Sequence, residues 1–155
     1  MPYLIDGHNL IPKLGLRLDS LDDEDQLIAR LQEFCRLRRS QVSVYFDGAL
    51  PGNISTRRAG AVTAHFVRKG SSADAEIEVR LARLGKAARS WVVVSSDRRV
   101  QRAAGAAHAD VLSSEDFARE MSKVQAKAAF KPDHDATLAP NEVKEWLDIF
   151  NRKKD

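Results

Sequence analysis

The sequence predicts a single α/β domain built on a mainly parallel sheet. Short apolar runs rich in β-branched and aromatic residues alternate along the chain with amphipathic helical patterns, which is typical of βαβ units. The chain has 155 residues, of which 43% are apolar, enough to bury one hydrophobic core. Two of the apolar runs stop at an Asp-Gly dipeptide. We therefore expect carboxylates at the carboxyl edge of the sheet, where α/β proteins place their ligands.

Three strands and one helix are predicted for the first half of the chain. The strands are apolar runs at positions 3–5, 42–46 and 61–67. The chain after the first strand is expected to be irregular as far as Gly15. A helix is expected to begin near Leu21, because apolar residues then recur at helical spacing and the acids of its first turn suit the helix dipole. Residues 49–60 contain Pro, Gly, Asn and Ser and are expected to form a loop.

The same alternation continues in the second half of the chain. The expected elements are a helix over 73–84, a strand over 91–94, a helix over 98–104, a strand over 109–112 and a helix that begins at Ser113 or Ser114. Ser71 or Ser72 can cap the first of these helices, and Gly85 can end it. The link between the second and third strands shows little helical pattern, so the topology stays open at that point.

Composition limits the class of protein. The net charge is +3 and the pI is about 9.2, a basic balance that permits a nucleic-acid partner without establishing one. The single cysteine, Cys35, allows no internal disulfide, and its helical, apolar surroundings predict a buried structural thiol. No apolar stretch approaches membrane-spanning length, and the N-terminus does not resemble a signal peptide. We therefore expect a cytoplasmic protein without a membrane partner.

The composition changes near the C-terminus. Residues 131–140 resemble a linker, and residues 141–150 form an amphipathic helical pattern. The string Asp133-His134-Asp135 contains metal-ligand residue types, but its polar linker surroundings favour an ordinary loop. We expect one domain over residues 1–130, with residues 131–155 packed on it.

Four acidic residues occupy equivalent places in the predicted elements. They follow strands or begin a helix: Asp6, Asp47, Asp74 and Asp97. The carboxyl ends of parallel strands and the following helix N-termini share one edge of a sheet, so these side chains can converge. Converging carboxylates repel one another unless a cation compensates, and oxygen ligands suit Mg²⁺ or Mn²⁺. The pattern predicts a metal site that hydrolyses phosphodiester bonds.

Each of these acids also has a simpler structural explanation. Asp6 and Asp47 each precede a glycine in a turn-like dipeptide, and Asp74 and Asp97 stand where helix-capping acids occur. These simpler explanations would have to hold for all four acids independently and place them at one edge by coincidence. The metal site is therefore the favoured interpretation. Asn9 is placed to orient a water molecule or to hold Asp6.

Other polar residues near this edge have weaker assignments. Glu76 and Glu78 are expected on a solvated helix face, although Glu78 could add a ligand. His8 could lie beside a substrate phosphate, but an exposed loop residue is the favoured interpretation. A rim of basic residues in loops or helix starts could bind a phosphate backbone: Arg57, Arg58, Arg68, Lys69, Arg98, Arg99 and Arg102.

Four motifs, in this order and spacing, resemble those of a known family. They are Leu-Ile-Asp-Gly-His-Asn-Leu-Ile, Val-Tyr-Phe-Asp-Gly, Ser-Ser-Ala-Asp-Ala-Glu-Ile and Val-Val-Val-Ser-Ser-Asp-Arg-Arg-Val-Gln. From about Tyr3 to Phe117 the chain resembles the YacP-like branch of the NYN domain family, within the PIN-like nuclease superfamily. No counterpart is recognised for residues 131–155, so two roles stay open for them: a docking helix, or a lid packed on the sheet.

The resemblance implies a three-layer PIN-like fold, with a parallel sheet of order 3-2-1-4-5 flanked by helices. It also implies a Mg²⁺- or Mn²⁺-dependent endoribonuclease that acts on RNA, with mRNA at the ribosome as the expected target. Asp6, Asp47, Asp74 and Asp97 would bind the metal, and Asn9 would be a polar helper.

Two other functions remain open from the sequence. The alternative is a non-catalytic RNA- or ribosome-binding module that keeps the fold. A small-molecule phosphohydrolase is disfavoured, because Asp6 is followed by Gly-His rather than by a second acid in an Asp-x-Asp pattern, and no glycine-rich phosphate loop is present.

Overall fold

Six strands form one sheet in the computed structural model, which describes residues 1–16, 23–49 and 56–130. The strands are β1 (Tyr3–Asp6), β2 (Val42–Ala49), β3 (Thr56–Ala59), β4 (Val62–Arg68), β5 (Val92–Val94) and β6 (Asp110–Leu112). Their order is β3-β4-β2-β1-β5-β6. All neighbouring strands are parallel except β3, which is antiparallel to β4. The mainly parallel sheet is confirmed, and the predicted order 3-2-1-4-5 corresponds to β4-β2-β1-β5-β6.

Helices cover both faces of this sheet. They are α1 (Gly7–Leu10), α2 (Asp23–Arg38), α3 (Ala73–Leu84), α4 (Arg98–Ala106) and α5 (Ser114–Phe130), with 3₁₀ segments at Ile11–Leu14 and Gly85–Ser90. Successive strand residues point to opposite faces. Ile5 therefore packs with the core formed by α2 and α5, while its neighbour Leu4 packs with α3 and α4. The protein is a three-layer α/β fold.

The expected loop over residues 49–60 is partly a strand. Thr56–Ala59 pairs with β4 as an antiparallel edge strand, and Gly60 makes the tight connection with a positive φ of 60°. Its first three residues are exposed, so the strand has no apolar run that the sequence could reveal. This strand brings the chain back so that β4 can lie parallel to β2. The connection between the second and third predicted strands, which the sequence left undecided, therefore contains an edge strand.

Two other boundaries differ from the prediction. The stretch after β1 is helical rather than irregular. The sequence did not reveal this, because α1 and the following 3₁₀ segment are each only four residues long, too short to show a helical period. Strand β2 continues through Asp47 to Ala49, with an irregular register after Phe46. Gly48 has a positive φ of 80° there, so Asp47-Gly48 lies at a bulge-like irregularity inside the strand.

Several predicted features lie outside the described residues. The helix start near Leu21, the linker with Asp133-His134-Asp135 and the helical pattern over 141–150 all belong to this group. In the ranges that are described, no helix is both long and apolar enough to cross a membrane. Cys35 is buried, and burial raises the pKa of its thiol to about 11, as expected for a structural cysteine.

Candidate functional site

Three of the predicted acids lie at the carboxyl edge of the sheet, near enough for Asp47 and Asp74 to act on the charge of Asp6. Asp6 is the last residue of β1, and only 8% of its surface is exposed. The side chain of Asp47 accepts a hydrogen bond from the backbone N–H of Ala73, the first residue of α3. Asp74 follows in the first turn of that helix. The end of β2 is thus joined to the start of α3, which brings Asp47 and Asp74 to the edge where Asp6 ends β1.

The charges of these acids act on one another. The pKa of Asp6 is raised from 3.8 to about 6, first by burial and then by the negative charges of Asp47 and Asp74. The backbone N–H of Asn9 and the nearby His8 oppose this rise by favouring the ionised carboxylate. Asp6 therefore lies in a field of excess negative charge, which a bound cation would neutralise.

The acids do not form a closed set of metal ligands. Within residues 1–16, 23–49 and 56–130, no three side chains of His, Cys, Asp or Glu are grouped so that they could hold one ion. Asp47 is bonded to Ala73, and the carboxylate of Asp74 lies 3.7 Å from the guanidinium of Arg99. The oxygen donors and their charge suit Mg²⁺ or Mn²⁺, whereas the metal ligation by Asp6, Asp47, Asp74 and Asp97 stays a prediction.

Asp97 is connected to this cluster through Arg99. Its carboxylate accepts a hydrogen bond of 2.8 Å from the backbone N–H of Arg99, which caps α4. The guanidinium of Arg99 lies 2.6 Å from Glu78, and its pKa is raised by Glu78, with smaller contributions from Asp74 and Asp97. Glu78 is therefore bonded to an arginine rather than merely solvated. The capping explanation of Asp97 is present in the structure, while its metal ligation stays a prediction.

Asn9 holds the site together by its side-chain oxygen. That oxygen accepts hydrogen bonds from the backbone N–H of Ser96, at 2.8 Å, and from the hydroxyl of Ser114, at 2.5 Å. The hydroxyl of Ser96 donates in turn to Glu115, at 2.7 Å. This bond and a second one from Lys13 lower the pKa of Glu115 to about 2, so it stays ionised. Asn9 thus fixes β5 and α5 against the segment that carries Asp6.

Removal of the Ser114 hydroxyl tests this network. Ser114 is fully buried, and in Ser114→Ala the oxygen of Asn9 keeps only one of its two partners. We expect a loss of about 1 kcal/mol in the free energy of unfolding. The control is Ser122→Ala on an exposed face of the same helix, which is expected to be neutral or slightly stabilising. Equal urea midpoints for the two variants would contradict the role of this bond.

His8 is the site residue that the sequence interpretation missed. It lies in α1, partly buried, and its Nε2 atom is 2.8 Å from Glu24 at the start of α2. This bond raises the pKa of His8, against burial, and the charges of Glu24 and Asp47 add to the rise. The expectation of an exposed loop histidine was therefore wrong. The acids in the first turn of α2 could have indicated an ionic partner for His8. The sequence interpretation assigned them only to the cap and dipole of that helix.

The predicted basic rim is only partly at the edge. Arg57 and Arg58 lie in strand β3 rather than in a loop, and Arg58 is level with Thr63, towards the other end of β4. Arg57 is bonded to Asp25 at 2.7 Å. Both residues thus lie in an edge strand that the sequence did not reveal, and their RNA binding stays a prediction. The remaining basic residues are exposed at the carboxyl ends of strands or in α4: Arg68, Lys69, Arg98, Arg99 and Arg102.

Comparison with known proteins agrees with this fold. The family model described as the YacP-like NYN domain matches residues 3–153. The chain belongs to this family. The matched range extends well beyond Phe117 and includes most of residues 131–155, for which the motifs alone showed no counterpart. No curated protein matches the sequence significantly.

Solved structures of the same family share the fold of this NYN domain. A crystal structure of Rae1 (YacP) from Bacillus subtilis has a TM-score of 0.71 and 23% identity, covering 99% of this chain and 94% of that one. A mutant form of Rae1 has a TM-score of 0.70 and 24% identity, covering 94% and 89%. At these identities the likeness concerns the fold. Membership of the family supports a PIN-like, nuclease-type function related to RNA.

Proposed function

We propose that this NYN domain is an endoribonuclease that hydrolyses RNA phosphodiester bonds with the help of Mg²⁺ or Mn²⁺. The observation that carries the proposal is the buried Asp6, whose pKa is raised by burial and by the charges of Asp47 and Asp74. Carboxylates with a perturbed pKa at the carboxyl edge of an α/β sheet are typical of functional sites. Family membership makes RNA the preferred substrate.

The acids would hold the metal, and the surrounding residues would position the acids. Asp6, Asp47 and Asp74 would be ligands, with Asp97 as a fourth. A bound divalent ion supplies charge stabilisation for the phosphoryl oxygens and lowers the pKa of water. Asn9 keeps the segment after β1 in place through its bonds to Ser96 and Ser114.

The contacts of Arg99 would change when a metal ion binds to the acids. Its guanidinium bonds to Glu78 and lies near Asp74, where it partly compensates the negative charge. A metal ion at the acids would take over this compensation, and the exposed Arg99 side chain could then contact an RNA phosphate. Arg98, Arg102, Arg68 and Lys69 are exposed nearby and would bind further phosphates.

The biological setting is a further part of the proposal. The RNA would be mRNA, and the ribosome would be a partner, as the family resemblance implies. The protein would act in the cytoplasm, with residues 131–155 packed on the domain over residues 1–130. The alternative is a non-catalytic RNA- or ribosome-binding module. It would gain support from the open arrangement of the acids, which form no closed ligand set among the described residues.

A cleavage assay with controlled metal decides between these functions. A circular single-stranded RNA has no ends, so its conversion to linear products shows endonucleolytic cleavage. We expect cleavage with Mg²⁺ or Mn²⁺ and at least a roughly hundredfold slower cleavage after chelation by EDTA, because the ion supplies much of the charge stabilisation. Activity is expected to return when the metal is added back.

The other outcomes are equally informative. Cleavage that survives EDTA would exclude the metal-dependent mechanism. RNA binding without cleavage under either metal would support the non-catalytic module. Neither binding nor cleavage of RNA would contradict both functions.

A further inference from the structure

A cavity of about 470 Å³ lies beside α3, and the proposed catalytic acids do not line it. Its wall is formed by β2, β4 and the flank of α3 that faces β4. Tyr45 and His65 belong to the two strands, and Glu76, Arg80 and Arg83 belong to the helix. Ligand sites of proteins are concave and carry a few convergent polar groups. The cavity has both features.

The wall of this cavity is positively charged. Arg68, Arg80 and Arg83 contribute three guanidinium groups, against the single carboxylate of Glu76 among the lining residues that are described. Arg68 and Arg83 are both exposed and can therefore reach a ligand from the mouth of the cavity. The guanidinium of Arg80 is held 5.3 Å above the ring of Trp91. Such a wall suits an anion with several phosphates.

The floor of the cavity contains an aromatic pair with an unused polar atom. The rings of Tyr45 and His65 are stacked, 4.5 Å apart and 12° from parallel. The Nε2 atom of His65 is buried and has no hydrogen-bond partner in the described part of the chain. Burial lowers the pKa of His65, so its ring is neutral near pH 7.

Helix α3 separates this cavity from the acids but joins both at its N-terminus. Asp74 and Glu78 lie four residues apart and face Arg99 of α4. Glu76, Arg80 and Arg83 lie on the opposite flank, since helix residues differ by about 100° each. The N-terminus between the two flanks is also where Ala73 binds Asp47. A chain of phosphates leaving the acids can therefore cross this helix end and reach the cavity.

We infer that the cavity is a subsite for single-stranded RNA, holding a nucleotide on one side of the bond that is cleaved. Arg68 and Arg83 bind phosphates at its mouth, above the aromatic floor of Tyr45 and His65. The inference rests on the proposed function, because it takes RNA as the substrate. It adds Arg83 and His65, which lie outside the predicted basic rim.

Binding of a fluorescent single-stranded RNA tests this subsite. The binding is measured by anisotropy in an Asp6→Asn background, which prevents cleavage, at several salt concentrations. We expect the added double substitution Arg68→Gln and Arg83→Gln to weaken binding about tenfold. The slope of log affinity against log salt is expected to fall by about 0.7 for each phosphate that the variant no longer binds. The matched control is Arg89→Gln, an exposed arginine just before β5, at the other end of the sheet.

Kinetics of the otherwise unchanged enzyme separate this inference from the proposed function. With Asp6 present, the double substitution is expected to raise KM about tenfold and to change kcat little, because the cavity binds RNA away from the reacting atoms. In one outcome the wild type cleaves RNA while the double variant and Arg89→Gln have the same KM and the same salt dependence of binding as their parent proteins. That result would contradict the subsite and leave the proposed nuclease function intact. If no RNA is bound or cleaved at all, both proposals are wrong.

Discussion

Asp6→Asn is expected to lower metal-dependent RNA cleavage by about 10²–10³-fold, because the amide cannot supply the charge that holds the cation. Asp6 is the most deeply buried of the three clustered acids and ends the central strand β1. The amide keeps the shape of the carboxyl group and can still accept a hydrogen bond from the N–H of Asn9. Cleavage rates of wild type and variant under single-turnover conditions measure the effect. Unchanged cleavage by the variant would remove Asp6 from the site.

The same substitution is expected to stabilise the folded protein above pH 6. The pKa of Asp6 is 3.8 when unfolded and about 6 when folded. Between these values the folded state binds the proton and the unfolded state does not, so stability falls as pH rises from about 4 to about 6. At a pH of about 7.5, Asp6→Asn should therefore recover about 1–3 kcal/mol in the free energy of unfolding.

Denaturant titrations at two pH values check this gain. The gain should be present at about pH 7.5 and almost absent at about pH 4, where Asp6 is protonated in the folded wild type. Asp110→Asn is the control, because Asp110 is exposed at the start of β6 and should show no comparable gain. A destabilised variant at the higher pH would mean that burial and the neighbouring charges do not disfavour the ionised Asp6. Active sites commonly sacrifice stability for function.

Gly7→Ala is expected to destabilise the fold by about 2–3 kcal/mol and to disturb the site. An added Cβ would approach the ring of Phe46 to 2.6 Å at Cδ1, and the backbone oxygen of Tyr45 to 3.0 Å. Neither neighbour can easily move: Phe46 is fully buried and stacks on Phe66, and Tyr45 belongs to β2. The added methyl group would push β2 away from position 7, which directly follows Asp6.

Gly105→Ala provides the matched control for this substitution. Gly105 lies in α4, and an added Cβ would meet nothing within 4 Å. Alanine is the better helix former, so this variant should gain about 0.5–1 kcal/mol. Urea unfolding of both variants gives the comparison. A Gly7→Ala protein as stable as the wild type would show that β2 does not pack closely against Gly7.

The repeated strand and helix patterns were enough to predict most of the sheet. Parallel strands buried on both faces are continuous apolar runs, and Val92–Val94 is the clearest of them. Strand β3 was not predicted, because it is an exposed edge strand with two arginines and no apolar run. Its pairing depends on β4 rather than on its own residues. The short helix α1 escaped because four residues show no period.

By itself the sequence predicted which acids could converge, because Asp6, Asp47, Asp74 and Asp97 stand at fixed places in elements that a parallel sheet must align. The resemblance of the motifs to those of the family implied the same four acids. Tertiary structure alone decided how they meet. It placed Asp97 as a cap bonded to Arg99, joined His8 to Glu24, and used Asn9 to tie β5 and α5 to the segment after β1. Most of these partners lie far apart in the chain, and their distances follow from packing that no local pattern contains.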